Sequence, residues 1–292
     1  MVVTGAAGQV GAFLAVEAAH QGYDVAALTR KDLDITDPAA VQHHVDGADV
    51  VVNCAAFTNV DAAEADPDAA HAINAVGPGH LARACARAGA RLIHISTDYV
   101  FSGDFAGGPA RPYDISAAVG PLSVYGRSKL DGELAVHAEL PEAQVVRTSW
   151  VYIGGAGTDF VAVMRRLAAG DRTIDVVSDQ TGSPTYAKDL VAALLEVAAG
   201  GVRSPILHAA NAGTASRFDQ ARAVFAAVGA DPERVRPVDT AAFPRPAHRP
   251  VFSALSTDGS VRAGLTALRP WREALHAALA VPVGDAPITS TP

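Results

Sequence analysis

The chain has 292 residues, 49% of them hydrophobic and 18% charged, which is enough apolar mass for one large core with a smaller appended lobe and argues against long disordered stretches. Its net charge of -8, from 23 basic and 31 acidic residues, includes no basic stripe and argues against nucleic acid or an anionic membrane as partner. Two cysteines, Cys54 and Cys85, form neither a disulfide framework nor a metal-ligand spacing, and no apolar run reaches the ~18 residues of a membrane span; a soluble, cytoplasmic protein without a metal site is expected.

From the first residue to Trp150, short β-branched runs alternate with alanine-rich helical patterns. The runs are Val2–Val3, Val25–Leu28, Val50–Val52, Leu92–Ile95 and Val145–Val146, with helices predicted near Val10–Gln21, Ala39–Val45, Asp68–Ala88 and Leu122–Leu140. This alternation predicts an α/β fold, a Rossmann-type doubly wound parallel sheet over residues 1–150. Pro78 is expected to kink or interrupt the third helix.

Directly after the first strand comes Thr4-Gly5-Ala6-Ala7-Gly8-Gln9-Val10-Gly11, which opens the first helix. Glycines at this spacing let the backbone turn tightly and approach a pyrophosphate, while the helix N-terminus presents free N–H groups to it. The second strand ends in Leu28-Thr29-Arg30-Lys31-Asp32. A carboxylate at its tip would hold the 2′-hydroxyl of NADH, whereas Arg30 and Lys31 suit a 2′-phosphate, so NADPH is favoured and NADH stays possible. After the third strand, Asn53-Cys54-Ala55-Ala56 offers small residues for the nicotinamide side of a cofactor.

The fourth strand ends in the hydroxyl pair Ser96-Thr97, followed by Asp98-Tyr99. Ligands of open parallel sheets bind beyond the carboxyl ends of the strands, which is where Thr97 would meet a substrate carbonyl. In PLSVYGRSKLDGE, Tyr125 and Lys129 stand four residues apart on one helical face. An ammonium beside a phenol lowers a pKa that starts at about 10, and such a tyrosine can protonate a carbonyl oxygen while a hydride arrives. The fifth strand runs on to Trp150, a candidate platform for the apolar face of a sugar.

Past Trp150 the texture turns glycine-rich and proline-punctuated, which predicts a smaller substrate-binding lobe over 151–281, with segments near 173–215 able to rejoin the first domain. Arg245 and Arg249, held between prolines in RPAHRP, are candidate diphosphate contacts. The tail 282–292, rich in Pro, Ser and Thr, is expected to be disordered.

Taken in order, TGAAGQVG, LDITD, NCAAFTNVDAAE, ISTDYVFSG, VYGRSK, RTSWVY and DQTGSPTYAKDL resemble the dTDP-4-dehydrorhamnose reductases of the extended short-chain dehydrogenases, from Val3 to about Leu279. The glycine turn and YxxxK belong to a wide superfamily; LDITD, STDYVF and DQTGSPT are narrower. The resemblance implies NADPH-dependent reduction of the C4 ketone of dTDP-4-dehydro-β-L-rhamnose, the last step of dTDP-L-rhamnose synthesis. It implies Thr97, Tyr125 and Lys129 as the catalytic triad, with Lys129 also on the nicotinamide ribose. Cofactor contacts would be Gly5, Gly8, Gln9, Val10, Arg30, Asp34, Ile35, Ala55, Ala56, Tyr125 and Lys129, and substrate contacts Tyr99, Trp150 and Arg249. The partner is then a dTDP-linked 4-keto-6-deoxyhexose, and the enzyme a monomer or homodimer.

The family often has a basic residue and Asn where this chain has Thr158 and Asp159, which bears on sugar selectivity. A 4-ketoreductase for another dTDP-deoxysugar and a non-catalytic NAD(P)-binding regulatory subunit are the alternatives. A serine hydrolase is disfavoured because no GxSxG elbow occurs.

Overall fold

The structure, a computed structural model, describes residues 1–155 and 157–281, so the tail expected to be disordered lies outside the described residues. The first half is built from β1 (Val2–Thr4), α1 (Gln9–His20), β2 (Ala26–Leu28), α2 (Pro38–Val45) and β3 (Val50–Asn53), then α3 (Val60–Ala65), α4 (Pro67–His71), α5 (Gly77–Ala88), β4 (Arg91–Thr97), α6 (Val124–Glu139) and β5 (Gln144–Thr148). The second half adds β6 (Val151–Tyr152), α7 (Phe160–Ala168), β7 (Ile174–Val177), β8 (Thr181–Gly182), β9 (Thr185–Tyr186), α8 (Ala187–Ala199) and β10 (Ile206–His208). It closes with β11 (Ala215–Ser216), α9 (Arg217–Ala227), β12 (Val235–Val238), α10 (Asp258–Arg262) and α11 (Trp271–Ala280).

A six-stranded parallel sheet in the order β10-β5-β4-β3-β1-β2 forms the centre. Its apolar runs are continuous because both faces are covered. Val3, Val52, Ile93 and Val146 pack under Leu14 of α1 and Leu190 and Leu194 of α8, while Val2, Val51, Leu92 and Val145 pack under Val41 of α2, Leu81 of α5 and Val136 of α6. The chain therefore returns after residue 186 to complete the large sheet. Ile174–Val177 pairs instead with Val235–Val238, and a separate core gathers Met164 of α7, Phe225 of α9 and Leu275 of α11. No helix among the described residues is long and apolar enough to cross a membrane.

Strand order reverses on either side of β1, whose neighbours are β2 and β3, and this reversal opens a crevice at the carboxyl edge. The glycine turn after β1, the Asn53–Ala56 turn after β3 and Thr97 at the end of β4 all lie on that edge.

The helix expected over Asp68–Ala88 is interrupted just before Pro78. Pro78 sits in the first turn of α5, and a π turn over Ala72–Val76 joins α4 to α5. Proline has no N–H for the carbonyl four residues back, here Asn74, and its ring would clash with that carbonyl; widening the preceding turn removes both problems. The displaced Asn74 carbonyl then faces α6 at Gly132, where an added Cβ would lie 2.0 Å from it. The glycine thus lets the helix carrying Tyr125 and Lys129 seat closely.

Candidate active site

Gly5 takes φ +64 and its missing Cβ would stand 2.6 Å from the Ala55 nitrogen, so the turn after β1 and the turn after β3 meet backbone to backbone. Gly8 caps α1 without a side chain, and the first turn of α1 carries no acidic residue. Its leading N–H groups therefore remain available to an anion, and the small residues Ala55 and Ala56 flank the same crevice.

At the end of β2, Arg30 and Lys31 are exposed, whereas Asp32 turns back to accept from Thr29 N (2.9 Å) and Thr29 Oγ1 (2.7 Å). Asp34 is likewise tied to Thr36 N (2.9 Å) and Thr36 Oγ1 (2.7 Å). These hydrogen bonds hold both carboxyl groups below their ordinary range. Ile35 is buried against Gly77 at the head of α5. The cations are thus the free charges at this strand tip.

Ser123 caps α6 by accepting from Gly126 N at 3.1 Å, and the helix carries Tyr125 and Lys129 on successive turns. The Thr97 hydroxyl is near enough to lower the pKa of the Tyr125 phenol, and the Tyr99 ring meets the Tyr125 ring edge-on at 5.7 Å. The structure therefore brings together Thr97, Tyr99 and Tyr125.

Lys129 does not figure among the groups that set the Tyr125 pKa in the structure, contrary to the expected acidification. Burial raises the Tyr125 pKa above its ordinary value; the Thr97 hydrogen bond opposes the rise, and Asp98 and Tyr99 add to it. Lys129 Nζ instead donates to the Ile95 carbonyl at 2.8 Å and faces His94 Nε2 at 3.3 Å. A spacing of four fixes a shared helical face but not the direction in which a long flexible side chain extends. At neutral pH the phenol is protonated, as a proton donor requires.

Asp98 is a site residue that the sequence reading left without a role. It is buried, with its carboxylate accepting from Ser253 Oγ (2.5 Å), Ser149 Oγ (2.9 Å) and Thr97 Oγ1 (3.2 Å). Burial lifts its pKa from 3.8 to about 6 against those hydrogen bonds. The available signal was an acid directly after the strand-end hydroxyl. Because the folded value exceeds the unfolded one, the cost of the buried charge is present above about pH 6 and vanishes as pH falls toward 4. Asp98→Asn is therefore expected to gain stability relative to wild type as pH rises from 4 to 8, read as the difference in melting temperature; a difference independent of pH would refute the assignment.

Trp150 lies beyond β5, which ends at Thr148, and is held at φ +48, a strained setting for an aromatic residue. The Arg217 guanidinium stacks 3.6 Å from its ring centroid, so one face of the expected sugar platform is covered by a cation. Arg217 donates to Gln220 Oε1 at 3.3 Å and meets no carboxylate among the described residues, and burial lowers its pKa to about 10. Nothing in the sequence separated this arginine from the other nineteen, since it reaches Trp150 only through tertiary packing.

Arg249 is not a free diphosphate contact. It forms a forked pair with Asp61 on α3 (3.1 and 2.9 Å), and Arg245 approaches the same carboxylate at 3.7 Å. Asp159 caps α7, accepting from Ala162 N at 3.0 Å, and is buried in that structural role.

A family model described as "RmlD substrate binding domain" matches residues 1–282. A dTDP-4-dehydrorhamnose reductase of Mycobacterium tuberculosis is 60% identical over 288 residues, covering 99% of this chain and 95% of that protein. Among solved structures, a dTDP-4-dehydrorhamnose reductase of Clostridium acetobutylicum superposes with a TM-score of 0.89 at 37% identity, covering 95% of this chain and 97% of the other. A dTDP-4-dehydrorhamnose reductase of Bacillus anthracis in complex with NADP gives 0.87 at 36% identity, covering 94% and 96%.

Proposed function

The chain belongs to the RmlD substrate binding domain family, and from that membership we propose that it reduces the C4 ketone of dTDP-4-dehydro-β-L-rhamnose with NADPH, giving dTDP-β-L-rhamnose. The observation that carries the reading is the meeting of Thr97 and a protonated Tyr125 at the carboxyl edge of the sheet, beside the uncapped N-terminus of α1. Activity follows from a division of labour between the glycine-turn domain, which takes the cofactor, and the lobe around α7, α9 and α11, which takes the nucleotide sugar. We place the enzyme in the cytoplasm, acting on a dTDP-linked 4-keto-6-deoxyhexose as a monomer or homodimer.

NADPH supplies the hydride. Gly5, Gly8, Gln9 and Val10 would cradle its diphosphate against the α1 N-terminus, with Ala55 and Ala56 lining the nicotinamide side and Lys129 near the ribose. With substrate bound, the Thr97 hydroxyl would turn its proton from Asp98 to the ketone oxygen and hold that oxygen beside Tyr125. Tyr125 then delivers the O–H proton to that oxygen as C4 becomes tetrahedral, so no alkoxide is released. Tyr99, Trp150 and Arg217 wall the sugar side of the cleft, where Arg217 supplies a positive charge that suits a nucleotide diphosphate.

Incubation with NADPH and dTDP-4-dehydro-β-L-rhamnose, with NMR of the C4 configuration in the product, tests the reading. Cofactor oxidation yielding the rhamno product supports it, and no oxidation overturns it. With Asp32 and Asp34 occupied internally, removal of Arg30 and Lys31 together should reduce kcat/KM for NADPH by about tenfold or more, the cost of losing charge-assisted hydrogen bonds of about 1.5–3 kcal/mol. Turnover with NADH should change little; an equal loss with both cofactors would place the cations away from the 2′-phosphate.

A further inference from the structure

The register of the central sheet aligns Thr4 with Asn53 and Asn53 with His94, so their side chains form a polar row on the α6 face. All three are buried, as is Lys129 above them. The hydrogen bonds along this row have fixed directions. Asn53 Oδ1 accepts from Thr4 Oγ1 (2.6 Å) and from the Ala55 N–H (3.1 Å), which sets the orientation of the amide. Its Nδ2 is then turned to His94 Nδ1 at 2.9 Å.

An amide nitrogen can only donate. His94 Nδ1 must therefore carry the lone pair, and the proton of the neutral ring sits on Nε2. Nε2 faces Lys129 Nζ at 3.3 Å. An ammonium has three donors and no lone pair, so it opposes this N–H; a neutral amine accepts it. A second proton on His94 gives no relief, because burial, with Lys129 and His137 nearby, pushes the ring well below its ordinary pKa.

We propose that Asn53 and His94 are positioning residues for Lys129, presenting a fixed N–H to Nζ that stabilises the neutral amine, so that the lysine gains and loses its proton in the working pH range. The proposal rests, for its purpose, on Tyr125 being the proton donor. Once Tyr125 has given its proton to the ketone oxygen the phenol must be restored; because Lys129 faces Ile95 and His94 rather than the phenol, a proton from its ammonium would pass through a bound hydroxyl between them, and the amine left behind is received by His94 Nε2–H until solvent returns its proton. Burial independently lowers the Lys129 pKa from 10.5 to about 8, opposed by Glu133 on its own helix and by Cys54 beyond β3. The Ala55 amide, at the cofactor crevice, stands at the other end of the row and is thereby linked to the charge on Lys129.

The chain has three lysines, Lys31, Lys129 and Lys188, so a ζ-15N-lysine spectrum is sparse enough to follow Lys129 alone. In full-length protein with 15N-labelled histidine and lysine, His94 is expected as the Nε2–H tautomer across pH 5–9, and Lys129 to titrate near 8. His94→Asn keeps an acceptor for Asn53 and removes the N–H that faces Lys129. In that variant the Lys129 midpoint should rise by about one unit, a tenfold change in proton affinity. An Nδ1–H tautomer in the wild type, or an unchanged midpoint in a folded variant, would overturn the proposal. If the variant fails to fold, the wild-type tautomer alone decides. None of these readings needs turnover, so they can fail while the reductase assay succeeds, and the reverse.

Discussion

Tyr125→Phe is expected to lower kcat by about 10²–10⁴-fold, the usual worth of a general acid, while the affinity for NADPH changes little. The loss should be confined to chemistry because the phenol makes no structural hydrogen bond among the described residues, and its ring contact with Tyr99 survives in phenylalanine. Since burial raises the Tyr125 pKa, its acid form is complete at neutral pH, and wild-type turnover should show no alkaline limb from this group until well above pH 9. Single-turnover oxidation of bound NADPH separates the proton-transfer step from product release. A variant within about tenfold of wild type would remove Tyr125 from the role of donor.

The sheet and the edge where chemistry collects were legible because their signals are local. β-branched runs of two to four residues between helical patterns, and a glycine turn directly after the first of them, point to a parallel sheet with a ligand-binding edge, whereas the order of its strands comes from the structure. What escaped was set by side-chain direction and by contacts far apart in sequence. The spacing of Tyr125 and Lys129 placed both on one face, yet Lys129 reaches down to Ile95 and His94 rather than toward the phenol. Arg249 looked like a free cation in a proline-framed loop until Asp61, 188 residues earlier, proved to hold it. Pro78 marked the interruption, but the π turn that absorbs its missing donor leaves no mark in composition.

Glu133→Gln is expected to destabilise the fold by about 3–5 kcal/mol, because it breaks a buried ion pair and strands one partner. Glu133 and Arg147 are each 3% exposed and pair at 2.9 and 2.6 Å, and Ser96 Oγ adds a third donor to the same carboxylate at 2.5 Å. With the charge gone, a guanidinium whose Nη1 already lacks a partner would stay buried beneath the catalytic strand. At roughly 2–4 °C per kcal/mol for a chain of this size, the melting temperature should fall by about 10 °C. Replacing both partners by leucine should recover much of that loss, since two well-packed apolar side chains leave no orphaned charge. Glu133 also raises the pKa of Lys129 one turn away, so the single variant should titrate that lysine lower as well as melt earlier. A Glu133→Gln protein that melts within a degree or two of wild type would mean that the pair orients Ser96 and β4 without holding the fold together.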